Sequence, residues 1–420
     1  MTQNNSIPSP TPMLKKDSPV DWLFIFKFNA EDFPECKGKR PDPGIFGGSP
    51  KDYKGKYSLQ YVYASSENPK LKKGRGCVGN SLSDPLGATF AQIYFGDYNY
   101  VLWNDQFYGK PIATKGGPWG HSKGALAWND KGEGMVLQVS TPSWPGSGSE
   151  KHPRPGKRKK GKIIGANENT LGTMDDDDIE VSQHFFATKL NKSDVVKVLK
   201  ALQNASVVTS TRKKSICNNG GPKDIQALVN TLGKKSHSTE CTVAKLSNGM
   251  KLISKPHTFG VPPWQLVSAR LGGVPLRVAS WWANPEIYST VKGQHISCWH
   301  ANLGIPGPVE IAVTGKWGSQ TLGLKGGLGK NFNHAKLGVS KNPKKPLCIF
   351  GDMNQQGALN PNSDYIGQKC SSSQNGRGGT FYVFENEELF KSMTALLGGE
   401  SASTTAPPPK PRKKRKSRKK

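Results

Sequence analysis

GHSKGALAW at 120–128 and NHAKLGV at 333–339 each set a histidine and a lysine two places apart, just ahead of an apolar, strand-forming run. Side chains in a strand repeat with a period of two. His121 and Lys123 therefore leave one face of their strand together, and His334 and Lys336 do the same on theirs. Glycines at 120 and 124 flank the first pair, which suits a backbone that a ligand approaches closely. A third couple, His152 and Arg154, lies in a Pro- and Lys-rich run with no strand character and is set aside. A solvated polar pair is the plain reading of any such couple; strand context on both sides of the chain singles out these two.

Working outward, aromatic and β-branched runs surround the first pair. VDWLFIFKF (20–28), YSLQYVYA (57–64), ATFAQIYF (88–95), YNYVLWND (98–105), KGALAWND (123–130) and GMVLQVS (134–140) all read as strands. Pro, Gly, basic residues and DDDD from 143 to 178 read as a long loop, after which IEVSQHFFATKL resumes the pattern. NKSDVVKVLKALQNA (191–205) reads as a helix capped by Asn191 or Ser193, with Val195, Val196, Leu199 and Leu202 on one face. GPKDIQALVNTL, PPWQLVSARLG and NEELFKSMTALL read as further helices; VPLRVASWW, VEIAVTG, PLCIFGD and TFYVFEN read as strands. The expected organisation is a disordered leader over 1–19, an N-terminal half over 20–180, a C-terminal half over 181–398 and a disordered basic tail over 399–420. Each half is β-rich and carries one His-x-Lys pair.

Lys and Arg total 59 against 31 Asp and Glu, a net charge of +28. Nine of the last eleven residues are basic, as are seven of those at 151–162, yet the remainder is still basic. A polyanion is the partner this charge calls for, nucleic acid before an anionic membrane surface. Both basic runs read as solvated segments that strengthen phosphate binding through counterion release, and the tail also has the composition of a nuclear-targeting signal. The opening residues contain no apolar core of a secretory signal, and no run approaches the ~18 apolar residues of a membrane span. The seven cysteines include no CxxC pair, which speaks against zinc and does not call for a disulfide framework. A soluble protein of a reducing compartment, cytoplasm or nucleus, is expected, with homo-oligomerisation left open.

Two His-x-Lys pairs brought face to face would form a phosphodiesterase that needs no metal. One imidazole attacks phosphorus and becomes a phosphohistidine. The other protonates the departing oxygen and then deprotonates the water that clears the intermediate. The two ammoniums take the charge-stabilising part that a metal plays elsewhere. With an ordinary pKa of ~6.5, one imidazole can be neutral while its partner is charged, a split that mildly acidic pH favours. No cofactor or metal enters this scheme. DDDD at 175–178 reads as a solvated acidic turn. Trp281, Trp282 and Trp299 read as core or groove wall before base-stacking platforms.

The order SPVDWLFIFKF, SLQYVYA, YVLWNDQ, GHSKGALAWND, NHAK, CIFGDMNQQG, GRGGTFYV resembles the deoxyribonuclease II family from about residue 18 to 397. The resemblance implies a mixed α/β, phospholipase-D-like pseudo-two-fold sandwich whose halves share one active site. It implies metal-independent, acid-favoured endonucleolysis of double-stranded DNA, leaving 3′-phosphate and 5′-hydroxyl ends. His121, Lys123, His334 and Lys336 carry over as the catalytic set, Asn354 as a phosphate-contacting amide, and Asp352 as its neighbour in the substrate-binding set or a structural partner. Animal members pair a cysteine just after the second motif with the one before GDMN. Leu337 and Gly338 stand where that cysteine would, so Cys348 has no such partner here.

Two rival functions are weighed. Phospholipase D enzymes carry an Asp seven residues beyond each motif histidine; Trp128 and Lys341 occupy those positions, against a lipid substrate. A non-catalytic basic DNA-binding protein is the other rival, and the intact set of four His and Lys residues argues against it.

Overall fold

The computed structural model describes residues 7–36, 57–79, 82–107, 112–142, 179–327, 329–361 and 369–404. The basic run at 151–162, DDDD at 175–178 and the tail beyond 404 lie outside them. The aromatic and β-branched runs form two sheets. In the first, β1 (Trp22–Lys27), β2 (Tyr61–Ser65), β3 (Lys72–Lys73), β4 (Asn99–Asn104), β5 (Lys123–Trp128), β6 (Gly134–Val139), β7 (Gln183–Leu190) and β8 (Cys217–Asn218) lie in the order β3-β2-β1-β7-β6-β5-β4-β8. The second holds β9 (Thr242–Lys245), β10 (Lys251–Lys255), β11 (Leu276–Ala279), β12 (Val309–Ile311), β15 (Leu337–Ser340), β16 (Leu347–Gly351) and β17 (Gly379–Glu385), in the order β12-β11-β15-β16-β17-β10-β9. A hairpin of β13 (Thr314–Trp317) and β14 (Gln320–Gly323) stands apart.

The sheets repeat one another. β1-β7-β6-β5-β4 matches β10-β17-β16-β15-β11 strand for strand, in space and in chain order. Helix α1 (Pro85–Phe95) follows the first strand of its set, as α4 (Pro263–Arg270) does in the other; α2 (Lys192–Asn204) follows β7, as α5 (Glu387–Leu396) follows β17. A short α3 (Lys223–Val229) packs beside α2. This is the pseudo-two-fold mixed α/β sandwich that the sequence leads one to expect.

The inner faces of the two sheets meet with α2 and α5 in one core. Phe186 of β7 stacks on Phe350 of β16 with centroids 4.1 Å apart, and Phe24 of β1 reaches the same ring at 4.9 Å. Aromatic contacts of this kind add about 0.5–1.5 kcal/mol each beyond burial. The outer face of the first sheet is covered by α1 and that of the second by α4. Alternation thus serves two cores at once, which is why β1, β4, β5 and β6 are buried at every position.

Several expectations are corrected. ATFAQIYF is helical, as part of α1. Asp84 caps it by accepting from the Gly87 amide at 2.8 Å and Pro85 opens it, local signals that outweigh aromatic content. Beyond the expected 180/181 boundary, β7 and β8 still belong to the first sheet, and the second sheet begins at Thr242. Residues 10–12 of the expected leader are buried, and the Met13 amide donates to Thr89 of α1. Residues 399–401 are likewise engaged, since Arg277 donates to the Gly399 carbonyl and Ser401 bridges to Ala312. Asn191 is the cap of α2, and Val198 replaces Val196 on its buried face.

Sulfur gives a further correction. Cys36 pairs with Cys77 and Cys298 with Cys370, while Cys217, Cys241 and Cys348 are buried thiols. Cys348 stays a buried thiol, and the fold brings together two sulfur pairs that the cysteine spacing does not call for. The Cys298–Cys370 loop spans 72 residues of sequence separation, so replacing both with serine should cost about 2–5 kcal/mol. Urea denaturation of the double variant, with non-reducing mass spectrometry of the unmodified chain, checks this; two unpaired thiols at 298 and 370 would refute it.

Candidate active site

The two His-x-Lys pairs open equivalent strands. Lys123 is the first residue of β5, and Lys336 immediately precedes β15. Both pairs stand at the same end of the sandwich, where the halves are joined by backbone hydrogen bonds. The His121 amide donates to the Gly378 carbonyl of the second half at 2.8 Å. The His334 amide donates to the Ser182 carbonyl of the first half at 2.7 Å, within a parallel bridge between Ser182 and Asn333. Each histidine is thus held by the half to which it does not belong. Each imidazole is also close enough to the opposite lysine to feel its charge. The four sequence-selected side chains belong to one cluster.

The glycines around His121 serve packing. A Cβ on Gly124 would lie 2.4 Å from the Leu137 carbonyl oxygen, and one on Gly120 would lie 2.5 Å from that of Ala205. Gly378 also abuts the Ala205 carbonyl, at the C-terminal end of α2. These glycines let chain approach chain, not ligand approach chain.

His121 Nδ1 lies 2.8 Å from the Asp352 carbonyl oxygen. A carbonyl only accepts, so Nδ1 carries the proton and Nε2 keeps its lone pair. Trp281 sets its ring edge-on to His334, with centroids 3.9 Å apart. Lys336 donates to the His334 carbonyl, its amide donates to His184 Nδ1 at 3.2 Å, and its carbonyl accepts from the Gly351 amide. Lys336 and Lys123 are almost wholly buried.

Sequence reasoning missed the counter-charge. Asp105, of the WND motif, accepts from Lys123 Nζ at 2.6 Å and from Arg377 at 2.7 Å. Although burial opposes ionisation, Lys123, Arg377 and His121 hold the Asp105 carboxyl far below the usual carboxylate range. Arg377, of GRGGT, also donates to the carbonyls of Trp119 and Gly120, bracing the loop before His121. The regular YVLWND and GRGGT runs were the available signal.

Asp352 and Asn354 fall beside this cluster. The Asp352 carboxylate accepts from the Thr380 amide and hydroxyl and from Gln138 Nε2, while burial pushes its pKa up to about 6. These donors tie the end of β16 to β17 of its own sheet and to β6 of the other. Asn354 Nδ2 donates to Gln356 at 2.8 Å, and its Oδ1 is buried with no hydrogen bond. Trp282 and Trp299 donate from their indoles to the carbonyls of Ile287 and Gly304 and form wall. Among the described residues no three His, Cys, Asp or Glu side chains converge as metal ligands would.

The deoxyribonuclease II family model matches residues 12–398. The chain belongs to the deoxyribonuclease II family. It is 21% identical over 386 residues to cell-death-related nuclease 7 of Caenorhabditis elegans, covering 89% of this chain and 82% of that protein. Among solved structures, a variant of yeast tyrosyl-DNA phosphodiesterase is 10% identical over 71% of this chain and 87% of its own, with a TM-score of 0.32. Another structure of that yeast enzyme gives 9%, 66% and 69%, with a TM-score of 0.29. As a deoxyribonuclease II family member the chain is a nuclease that acts on DNA.

Burial, then the neighbouring lysines, hold His121 and His334 well below the ordinary imidazole range, and burial with Lys336 does the same for His184. Each is neutral in the fold and takes up a proton on unfolding below ~6.5, so stability is lost as pH falls through that value. Asp352, raised in the fold, opposes this between about pH 4 and 6. The net of about two protons predicts a loss of ~3 kcal/mol per pH unit below 6. Urea denaturation from pH 7.5 to 5 should show this slope, and His334→Ala should make it shallower by about one proton.

Asp105→Asn should cost about 3–5 kcal/mol, because it strips two cations, one of them buried, of their counter-charge. A loss under 1 kcal/mol in the same denaturation assay would show that the Lys123–Asp105–Arg377 contact is dispensable.

Proposed function

We propose that the cluster hydrolyses DNA phosphodiesters without a metal, through a phosphohistidine, at mildly acidic pH. The observation that carries this is the reciprocal placement of the two imidazole–lysine pairs, each histidine pinned by the opposite half. The lone pair left on His121 Nε2 favours His121 as nucleophile. In the first step Nε2 bonds to phosphorus, the P–O5′ bond breaks, and the departing O5′ takes its proton from His334. In the second, His334 removes a proton from water, the new oxygen bonds to phosphorus and the P–Nε2 bond breaks. The ends are a 3′-phosphate and a 5′-hydroxyl. Lys123 and Lys336 face the non-bridging oxygens, where negative charge accumulates.

Acid preference follows from charge. Two lysines beside two imidazoles resist further protonation, and a phosphodiester anion arriving between them relieves that resistance. The general acid must be charged before the P–O5′ bond breaks, so turnover rises as pH falls toward the imidazole range. Asn354 is the proposed phosphate-contacting amide, through the Nδ2 proton not used in its bond to Gln356. Double-stranded DNA is the partner, met through its backbone by the basic surface. The two disulfides favour an oxidising compartment.

Plasmid should be nicked in excess EDTA, faster at pH 5–6 than at pH 8. His121→Ala and His334→Ala should each lose at least about 10³-fold in rate while retaining DNA in gel retardation. Cleavage that disappears with chelator, or that survives both substitutions, would overturn the mechanism.

A further inference from the structure

Two buried lysines outside the His-x-Lys pairs occupy equivalent places in the two halves. Lys27 ends β1, and Lys255 ends β10, the strand that matches β1 in the repeat. Neither side chain is exposed at all. Lys27 Nζ donates to the carbonyls of Phe28, Ser58 and Ile179, each at 3.0 Å, and to that of Val181 at 2.7 Å. Lys255 Nζ donates to the carbonyls of Pro256 at 3.4 Å, Phe259 at 2.7 Å, Asn375 at 2.6 Å and Arg377 at 2.8 Å. Carbonyl dipoles replace the water that each ammonium has lost.

What those carbonyls belong to matters more than their number. Ile179 and Val181 lead directly into Ser182, whose carbonyl accepts from the His334 amide of the other half. Asn375 and Arg377 lead directly into Gly378, whose carbonyl accepts from the His121 amide of the other half. An apolar side chain at either place would avoid the cost of burying a charge but would take a donor from four buried carbonyls, of which that of Ile179 keeps the Ser58 amide at 3.1 Å. Both halves keep the lysine, and both spend it on the segment that reaches across.

We propose that Lys27 and Lys255 are positioning residues, each clamping in its own half the backbone segment that fixes the histidine of the opposite half. Lys27 thereby sets His334, and Lys255 sets His121. Lys27 also lies near enough for its charge to bear on the His334 imidazole. Neither lysine touches substrate. Their effect on rate rests on the phosphodiesterase reading above, because it is exerted through the placement of the two imidazoles.

The test substitutes Lys27→Met and Lys255→Met, which keep length and remove the donors. In the full-length protein, amide hydrogen exchange followed by NMR reports on both histidines. Lys27→Met should speed exchange at the His334 amide by at least about tenfold and leave His121 protected; Lys255→Met should do the reverse. With DNA, kcat should fall about 10–100-fold with KM nearly unchanged, the signature of reacting groups held slightly out of place. Lys27→Gln and Lys255→Gln, which can still donate to two carbonyls, should fall between Met and lysine in both readouts and serve if a methionine variant does not fold. In the unmodified protein both histidine amides should be as protected as the strand interiors. Fast exchange there, or methionine variants whose opposite-half histidine stays protected, overturns the proposal. Failure of the unmodified protein to cut DNA would strike the functional reading alone, since exchange requires no turnover.

Discussion

The site depends on two backbone hydrogen bonds that cross between the halves, His121 to Gly378 and His334 to Ser182. A side-chain contact could relax by changing rotamer, but an amide cannot move without its strand. Because β5 and β15 are locked by their neighbours on either side, the crossing bonds fix where the two imidazoles begin. The aromatic contacts between the inner faces of the sheets, centred on Phe350, keep the halves at the spacing these bonds require.

Around that frame the charges are lopsided. Lys123, Lys336 and Arg377 gather beside two imidazoles, and Asp105 and Asp352 are the carboxylates nearest them. Asp105 is consumed by Lys123 and Arg377, and Asp352 by Thr380 and Gln138. The balance that remains around the imidazoles is positive, carried by the buried Lys123 and Lys336 and by Arg377. A site so composed is stable with its imidazoles neutral and becomes more comfortable when an anion enters.

Much of this could be read in the sequence. The motif pairs announced themselves because a period of two in a strand-forming run leaves few other places for His and Lys to point. The two-half plan followed from their repetition, and strands from VDWLFIFKF to TFYVFEN fell where aromatic and β-branched residues cluster. ATFAQIYF misled because its composition suits a strand while its helix is decided by a cap and a proline outside the run. That β7 returns to pair with β1 and β6 is a contact with no local trace in the sequence. Asp105, Arg377, Lys27 and Lys255 share that fate. Each sits in an unremarkable strand or loop, and what marks it out are partners distant in the chain, such as Val181 for Lys27 and Asn375 for Lys255. The disulfides were missed for the same reason, since spacing says nothing about which sulfurs the fold brings together.

The exchange of support between halves bears on how such an enzyme could be divided. A polypeptide ending between β8 and β9 would carry His121 and Lys123 but lack the carbonyl that seats His121; the remaining fragment would carry His334 without Ser182. Either piece alone is an incomplete tool, because the seat of each histidine lies on the other piece.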